Sequence, residues 1–196
     1  RSPYAVAKLY AYWITRNYRE AYAMFASNGI LFNHESPRRG ENFVTRKVTL
    51  SIARMLQKKI ERVRLGNLDA RRDWGYAPEY CEAMWLMMQQ DKPGDFVIAT
   101  GEMHTVRELC EVAFRCIDVE LEWRGKGAEE RGVDKKTGKE LVVVDPRHYR
   151  PTEVEQLCGN ATKAREAFGW QPKTKFTELV QLMMKAELAA AGVSGK

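Results

Sequence analysis

Tyr4 and Lys8 stand four residues apart, inside Ser2-Pro3-Tyr4-Ala5-Val6-Ala7-Lys8. On a helix, side chains at i and i+4 share a face. A phenol and an ammonium one turn apart form the pair in which the cation favours the phenolate and makes it a usable base. The small residues between them would let a flat ring or a sugar approach the helix. Taken alone the spacing is a weak signal, because eight tyrosines in 196 residues make a chance match ordinary. The bland alternative is a helical pair with an exposed lysine.

A second concentration of polar groups lies about thirty residues on, in Asn33-His34-Glu35-Ser36-Pro37-Arg38-Arg39-Gly40-Glu41-Asn42-Phe43. It follows the apolar, β-prone run from Phe25 to Phe32, read as a buried strand. Amide, imidazole and guanidinium groups just beyond a strand occupy the place where open α/β sheets hold ligands. Without further context His34 would be read as a loop histidine capping a turn.

These groups need elements to position them. Ser2 and Pro3 open a helix running to about Glu20. Asn42 caps a second, from Phe43 to Gln57, with Val44, Val48, Ile52 and Met55 as its apolar stripe. Val63 to Leu65 and Asp95 to Thr100 read as strands. Pro78 opens a helix through Gln90 whose run Met84 to Met88 is expected in the core. Thr105 with Glu108 makes a capping box. Leu121 to Trp123 and Leu141 to Val144 are short strands, and Arg124 to Lys139 between them reads as a surface loop. Asn160 and Thr177 cap the last two helices, and the tail after Gly192 is expected to fray. Alternating strands and helices predict an α/β fold with some parallel pairing and helical cover.

Composition narrows the function. The chain is 44% hydrophobic and 30% charged, as in soluble globular proteins. No apolar run approaches the roughly 18 residues of a membrane span, and no secretory leader opens the chain, so a cytoplasmic location is expected. The net charge is +6, but Arg38-Arg39, Lys58-Lys59, Arg71-Arg72 and Lys135-Lys136 are dispersed among acids. That argues against a nucleic-acid partner and suits a small polyanionic ligand. Cys81, Cys110, Cys116 and Cys158 never form Cys-x-x-Cys. No metal site is expected, and the thiols are read as buried and reduced. His104 and His148 are read as structural.

Ser-Pro-Tyr-Ala-Val-Ala-Lys resembles the catalytic helix of the extended short-chain dehydrogenases/reductases. Within them, Gly29 to Lys47, Leu65 to Gly75 and Tyr149-Arg150-Pro151-Thr152-Glu153-Val154 resemble the GDP-mannose 4,6-dehydratases, in order and over nearly the whole chain. The resemblance implies the C-terminal part of a Rossmann-like fold plus a smaller α/β substrate domain. Residues 1–60 would finish the dinucleotide-binding domain, and 61–196 would mainly bind the nucleotide sugar, with some segments returning to the Rossmann sheet. It implies NADP as cofactor, GDP-mannose as substrate, and a homo-oligomer, dimer or tetramer. By resemblance Tyr4 and Lys8 are catalytic and also touch the cofactor, as do His34 and Arg39. Asn33, Lys47, Asn67, Arg72, Arg150 and Glu153 would bind the substrate. A guanidinium fork at Arg72 suits a pyrophosphate better than an ammonium would. For Arg150 and Glu153 the bland alternative is an ion pair at a helix start.

The sequence contains no Gly-x-x-Gly-x-x-Gly after a strand, nor the Thr-x-Glu segment that supplies the acid/base carboxylate in this family. Both precede the tyrosine helix there, so the chain is read as corresponding to about the C-terminal half of such an enzyme. Two alternatives stay open: another nucleotide-sugar dehydratase or epimerase, and an inactive nucleotide-sugar-binding fragment. The apolar face of the first helix (Val6, Leu9, Trp13) is expected to be exposed, making the isolated chain aggregation-prone or dependent on a complementary half.

Overall fold

The computed structural model describes residues 2–148 and 156–193. In chain order the helices are α1 (Pro3–Tyr22), α2 (Val44–Leu56), α3 (Ala77–Met88), α4 (Val106–Arg115), α5 (Thr162–Phe168) and α6 (Phe176–Ala190). The strands are β1 (Asn28–Leu31), β2 (Asn33–Glu35), β3 (Val63–Leu65), β4 (Arg71–Arg72), β5 (Trp74–Tyr76), β6 (Asp95–Ile98), β7 (His104–Thr105), β8 (Leu121–Arg124), β9 (Arg131–Asp134), β10 (Glu140–Val144) and β11 (Gln156–Leu157). The fold is mixed α/β, as predicted.

Local chemistry explains the clearest helix ends. Ser2 Oγ accepts from the Ala5 amide at 3.1 Å, and Pro3 brings a preset φ to the first turn of α1. Thr105 and Glu108 form both bonds of the capping box, at 3.0 and 2.8 Å. Other helix starts differ from the expectation. Phe43, not Asn42, precedes α2 and makes no side-chain cap. Thr177 lies inside α6, whose first turn is closed by Glu178 accepting from the Lys175 amide at 3.0 Å. Asn160 Oδ1 does accept from the Thr162 amide, at 2.9 Å.

Two cores hold the described residues together. The larger packs α2, α4 and α6 on β3 and β10, around Val48, Ile52, Leu65, Phe114, Val142 and Met183. The smaller gathers Tyr80, Ala83 and Met87 of α3, Phe96 and Ile98 of β6, Ala164 of α5 and Trp170. Packing therefore does not follow a boundary at residue 60. Helix α2 belongs to the larger core, while β6, α3 and α5 form the smaller one beside β1.

The described residues form four small sheets. β1 pairs in parallel with β6, and β2 with β5. β4 lies between β11 and β7. The largest sheet runs β3-β10-β9-β8. Its β9 lies inside the stretch read as a surface loop: Gly132 and Val133 are buried between β8 and β10. Strand β1 is not the buried strand expected, because Gly29 and Ile30 are exposed, with β6 the one neighbour among the described residues.

The methionine-rich stretch divides rather than disappearing into the core. Met87 is buried, but Met84 and Met88 are exposed and Trp85 is 62% exposed. Helical periodicity lets only one stripe of an apolar run face a core on one side. The thiols divide too: Cys110 is buried and Cys116 half-buried, whereas Cys81 and Cys158 are exposed. Of the tail expected to fray after Gly192, Val193 is instead half-buried against the larger core with its amide donating to the Leu188 carbonyl at 3.1 Å, and residues 194–196 lie outside the described residues.

Helix α1 has no buried residue, and Val6, Leu9 and Trp13 are exposed as expected. One polar knot ties it down. Arg19 grips Asp95 through both carboxylate oxygens at 2.9 and 2.8 Å, and Asn28 and Tyr12 donate to the same group. Arg19 chiefly, then Asn28, holds the Asp95 carboxyl down at about 2. A depressed carboxyl contributes stability above its unfolded value, and loses it as the pH falls through the folded value. Asp95→Ala is expected to free α1 at neutral pH, raising its amide hydrogen exchange at least tenfold while the α2–α6 core keeps its protection. Unchanged exchange in α1 would show that other contacts hold it.

Candidate functional site

A cleft of about 410 Å³ opens between the polar loop and the larger core. Two stretches far apart in sequence supply most of its lining: 33–47, with Asn33 and Glu35 of β2, Arg39, Asn42 and Phe43 of the following loop and Thr45 and Lys47 of α2; and 65–74, with Gly66 and Asn67 after β3 and then Arg72 and Trp74. Arg147 and His148, from a 3-10 turn at Pro146–His148, complete the lining.

Strand alternation decides which side chains reach it. Successive residues of an extended chain point to opposite faces. Asn33 and Glu35 line the cleft; His34 between them instead stacks on Tyr80, ring centroids 5.1 Å apart, with Nδ1 2.8 Å from the Phe32 carbonyl. Arg72 and Trp74 likewise line the cleft, while Asp73 turns into the protein, fully buried. Its carboxylate accepts from the Thr100 amide and hydroxyl, the Gly101 amide and the Gly159 amide, at 2.7–3.2 Å. Its carbonyl accepts from Asn33 Nδ2 at 3.0 Å, joining β2 to the Arg72–Trp74 segment.

The loop after β2 is braced from beneath. Glu35, only 2% exposed, accepts a hydrogen bond from Thr45 Oγ1 and lies 3.2 Å from Arg39 Nε. Burial pushes its carboxyl up, against the Thr45 hydrogen bond and the Arg39 charge. The Arg39 guanidinium covers the Phe43 ring at 3.5 Å from the centroid. Arg46 donates to the Arg39 carbonyl at 2.7 Å and to the buried Glu187 of α6 at 2.9 Å. The loop's shape is thus linked to the C-terminal helix.

Of the residues singled out in the sequence, Asn33, Arg39, Lys47, Asn67 and Arg72 come together in this cleft. Asn67 Oδ1 also accepts from the Asp69 amide at 2.9 Å, holding its own turn. His34 faces Tyr80 instead. Tyr4 is 72% exposed near the start of α1 and Lys8 is exposed; neither lines the cleft. The Lys8 ammonium lies 5.8 Å from the centre of the Tyr4 ring, so the two do share one helix face. Arg150 and Glu153 fall outside the described residues. Glu35, Thr45, Arg147 and His148 went unmarked as site residues in the sequence. Parity with Asn33 would have pointed to Glu35; nothing local distinguishes Arg147 or His148. His104, read as structural, stacks on Phe176 at 3.9 Å between centroids.

Cationic groups dominate the lining: Arg39, Lys47, Arg72 and Arg147 face one carboxylate, Glu35. Burial lowers the Lys47 ammonium, partly offset by Asp145. Such a cleft favours an anion flanked by groups that hydrogen-bond neutral hydroxyls. Among the described residues no cluster of histidine, cysteine and carboxylate side chains could hold a metal ion. No described helix is long and apolar enough to cross a membrane.

Comparison with known proteins bears on this arrangement. A family model described as GDP-mannose 4,6 dehydratase matches residues 1–183. The chain is 58% identical to the GDP-mannose 4,6 dehydratase of Drosophila melanogaster over 96% of its own length and 48% of the relative's. It is 57% identical to the Homo sapiens protein of that name over 96% and 50%. The chain thus spans about half the length of the curated relatives it matches. Among solved structures, an RMD from Pseudomonas aeruginosa complexed with NADPH superposes with a TM-score of 0.80 at 22% identity, covering 97% of this chain and 57% of that one. A UDP-glucose 4-epimerase from Thermotoga maritima gives 0.75 at 24%, covering 97% and 54%. The structural neighbours share the Rossmann-like fold of extended short-chain dehydrogenases/reductases, and the sequence match is the more specific: the chain belongs to the GDP-mannose 4,6-dehydratase family.

Proposed function

We propose that the protein carrying this chain is an NADP-dependent lyase that converts GDP-mannose to GDP-4-keto-6-deoxymannose. One observation supports this reading above the others. Asn33, Lys47, Asn67 and Arg72, the described members of the substrate set implied by resemblance, converge from four separate segments on one cationic cleft. The diphosphate lies against Arg72 and Lys47, and Asn33 and Asn67 offer amides to ribose or sugar hydroxyls.

The residues present fit a phosphate-bearing dinucleotide at the loop end of the cleft. Arg39 lines the cleft, its guanidinium stacked on Phe43 and its Nε held 3.2 Å from the Glu35 carboxylate. Bound NADP would supply reversible hydride acceptance. By resemblance, and although neither side chain lines the cleft, Tyr4 Oη takes the proton of the sugar 4-hydroxyl, and Lys8 provides the neighbouring positive charge and a donor for a ribose hydroxyl. His34 borders the cofactor from the side of Tyr80. The protein works in the cytoplasm as a homo-oligomer, dimer or tetramer, and the uncovered apolar side chains of α1 are consistent with assembly.

Incubating the intact protein and NADP+ separately with GDP-mannose and dTDP-glucose tests the assignment by product mass. Loss of water from GDP-mannose alone is expected. Turnover of dTDP-glucose instead, or a 4-epimer without loss of water, would overturn it.

Glu35 separates stability from binding. Its carboxyl is raised on folding, so its ionisation costs stability in full above the folded value, and the cost is relieved as the pH falls through it. Glu35→Gln is expected to leave stability at neutral pH unchanged or to raise it by up to about 1 kcal/mol. The same change removes Arg39's ionic partner and should weaken NADP+ binding about tenfold. Thermal melts and titration calorimetry check both halves. A destabilised variant with intact binding would contradict the bracing role.

A further inference from the structure

The cleft mouth holds a charge arrangement that the roles above leave unused. His148 ends its 3-10 turn beside Lys47 of α2, and both line the cleft. Arg64 of β3 and Arg147 of the same turn add positive charge to that corner. The one described anion facing it, Asp145 after β10, is already committed. Its carboxylate takes Arg147 Nε at 3.0 Å, Arg147 Nη2 at 2.7 Å and the Arg147 amide at 3.1 Å. The Lys47 side chain is half-buried, and Asp145 is the one described carboxylate whose charge supports its ammonium. Glu35, Arg39 and Arg72 line the remainder of the cleft, and Glu35 is occupied by Arg39 and Thr45. The corner is therefore short of negative charge when empty.

We propose that His148 is a proton-linked anion-binding residue. It takes up a proton as the diphosphate of a nucleotide sugar enters beside Lys47, so that binding tightens as the pH falls. This rests on the reading that the cleft takes such a diphosphate. His148 is exposed at the cleft mouth, and in the free cleft limited desolvation, and next the Lys47 charge, hold its imidazole below its ordinary range. A diphosphate reverses the sign of the local field and favours the imidazolium. Affinity is then highest where His148 is already charged, falls as the pH rises through its bound-state value, and levels off where it is neutral in both states. Because the corner opposes the imidazolium only until the anion arrives, the response falls across the neutral range.

Titration calorimetry of the intact protein with GDP-mannose, at about pH 6, 7 and 8 in two buffers of different ionisation enthalpy, tests this. Proton uptake of a fraction of one equivalent is expected, with Kd about tenfold tighter at the lowest pH than at the highest, as a shift of one unit requires. His148→Gln should abolish that uptake and bind weakly at every pH. His148→Arg should bind tightly at every pH. Binding without proton uptake, or uptake that persists in His148→Gln, overturns the proposal and leaves the cleft's assignment standing. Uptake lost in His148→Gln with NADP+ but absent with GDP-mannose gives the site to the cofactor's phosphate and also overturns it. No binding of GDP-mannose at any pH overturns both the proposal and the assignment.

Discussion

Tyr4→Phe in the intact protein is expected to lower turnover of GDP-mannose by a factor of about 10² to 10⁴, the usual contribution of a positioned acid–base group. Affinity for GDP-mannose should stay within about twofold. The substitution removes one oxygen and keeps the ring. Tyr4 is 72% exposed and its hydroxyl makes no described hydrogen bond, so folding should change by no more than about 0.5 kcal/mol. A rate loss would therefore report on chemistry rather than on structure. Lys8→Met should be nearly as damaging, and the double variant little worse than either single one, because the two groups act as a unit on one helix face. Steady-state product formation at saturating substrate measures these effects. Near-normal turnover in Tyr4→Phe would remove it from the base role.

Asp73→Ala should be the most destabilising single change described here, costing about 3–5 kcal/mol in a denaturant titration. The carboxylate is fully buried and satisfies three backbone amides and a hydroxyl from two distant segments. Removing it strands those donors, each at a cost of about 1–3 kcal/mol before any water enters the space. Asp73→Asn should also be costly, since half of its amide would direct hydrogens at hydrogens. Binding should suffer with stability, because Asp73 lies between Arg72 and Trp74 of the cleft and its backbone holds Asn33. A loss below about 1 kcal/mol would mean that solvent replaces the carboxylate without difficulty.

Local chemistry was legible where it was self-contained. The Ser2-Pro3 start of α1, the Thr105–Glu108 box and the stripe of α2 depend on neighbours within a turn, and the structure forms all of them. What misled was context. Arg124 to Lys139 is rich in glycine and charge, yet it contributes β9, because β8 and β10 supply partners on both sides. The run from Met84 to Met88 is apolar enough for a core, but of its five residues Met87 is buried in one and Leu86 half-buried against it, while the other three are exposed. Asn42 has the side chain of a helix cap and instead lines the cleft, since Phe43 is the residue held extended before α2.

From the order of residues alone came the chemical inventory: a phenol and an ammonium on one helical face, an amide-and-guanidinium loop after a strand, and motifs sufficient to point to the family. Only folding decided which of those groups share a space. The cleft draws on residues from Asn33 to His148, and long-range packing of α2, β3 and the β4–β5 segment, not spacing, brings them within reach of one ligand. Folding also set the parity that turns Glu35 inward with Asn33 and His34 away. It placed His148 beside Lys47, about a hundred residues earlier in the chain, an adjacency that no local pattern encodes.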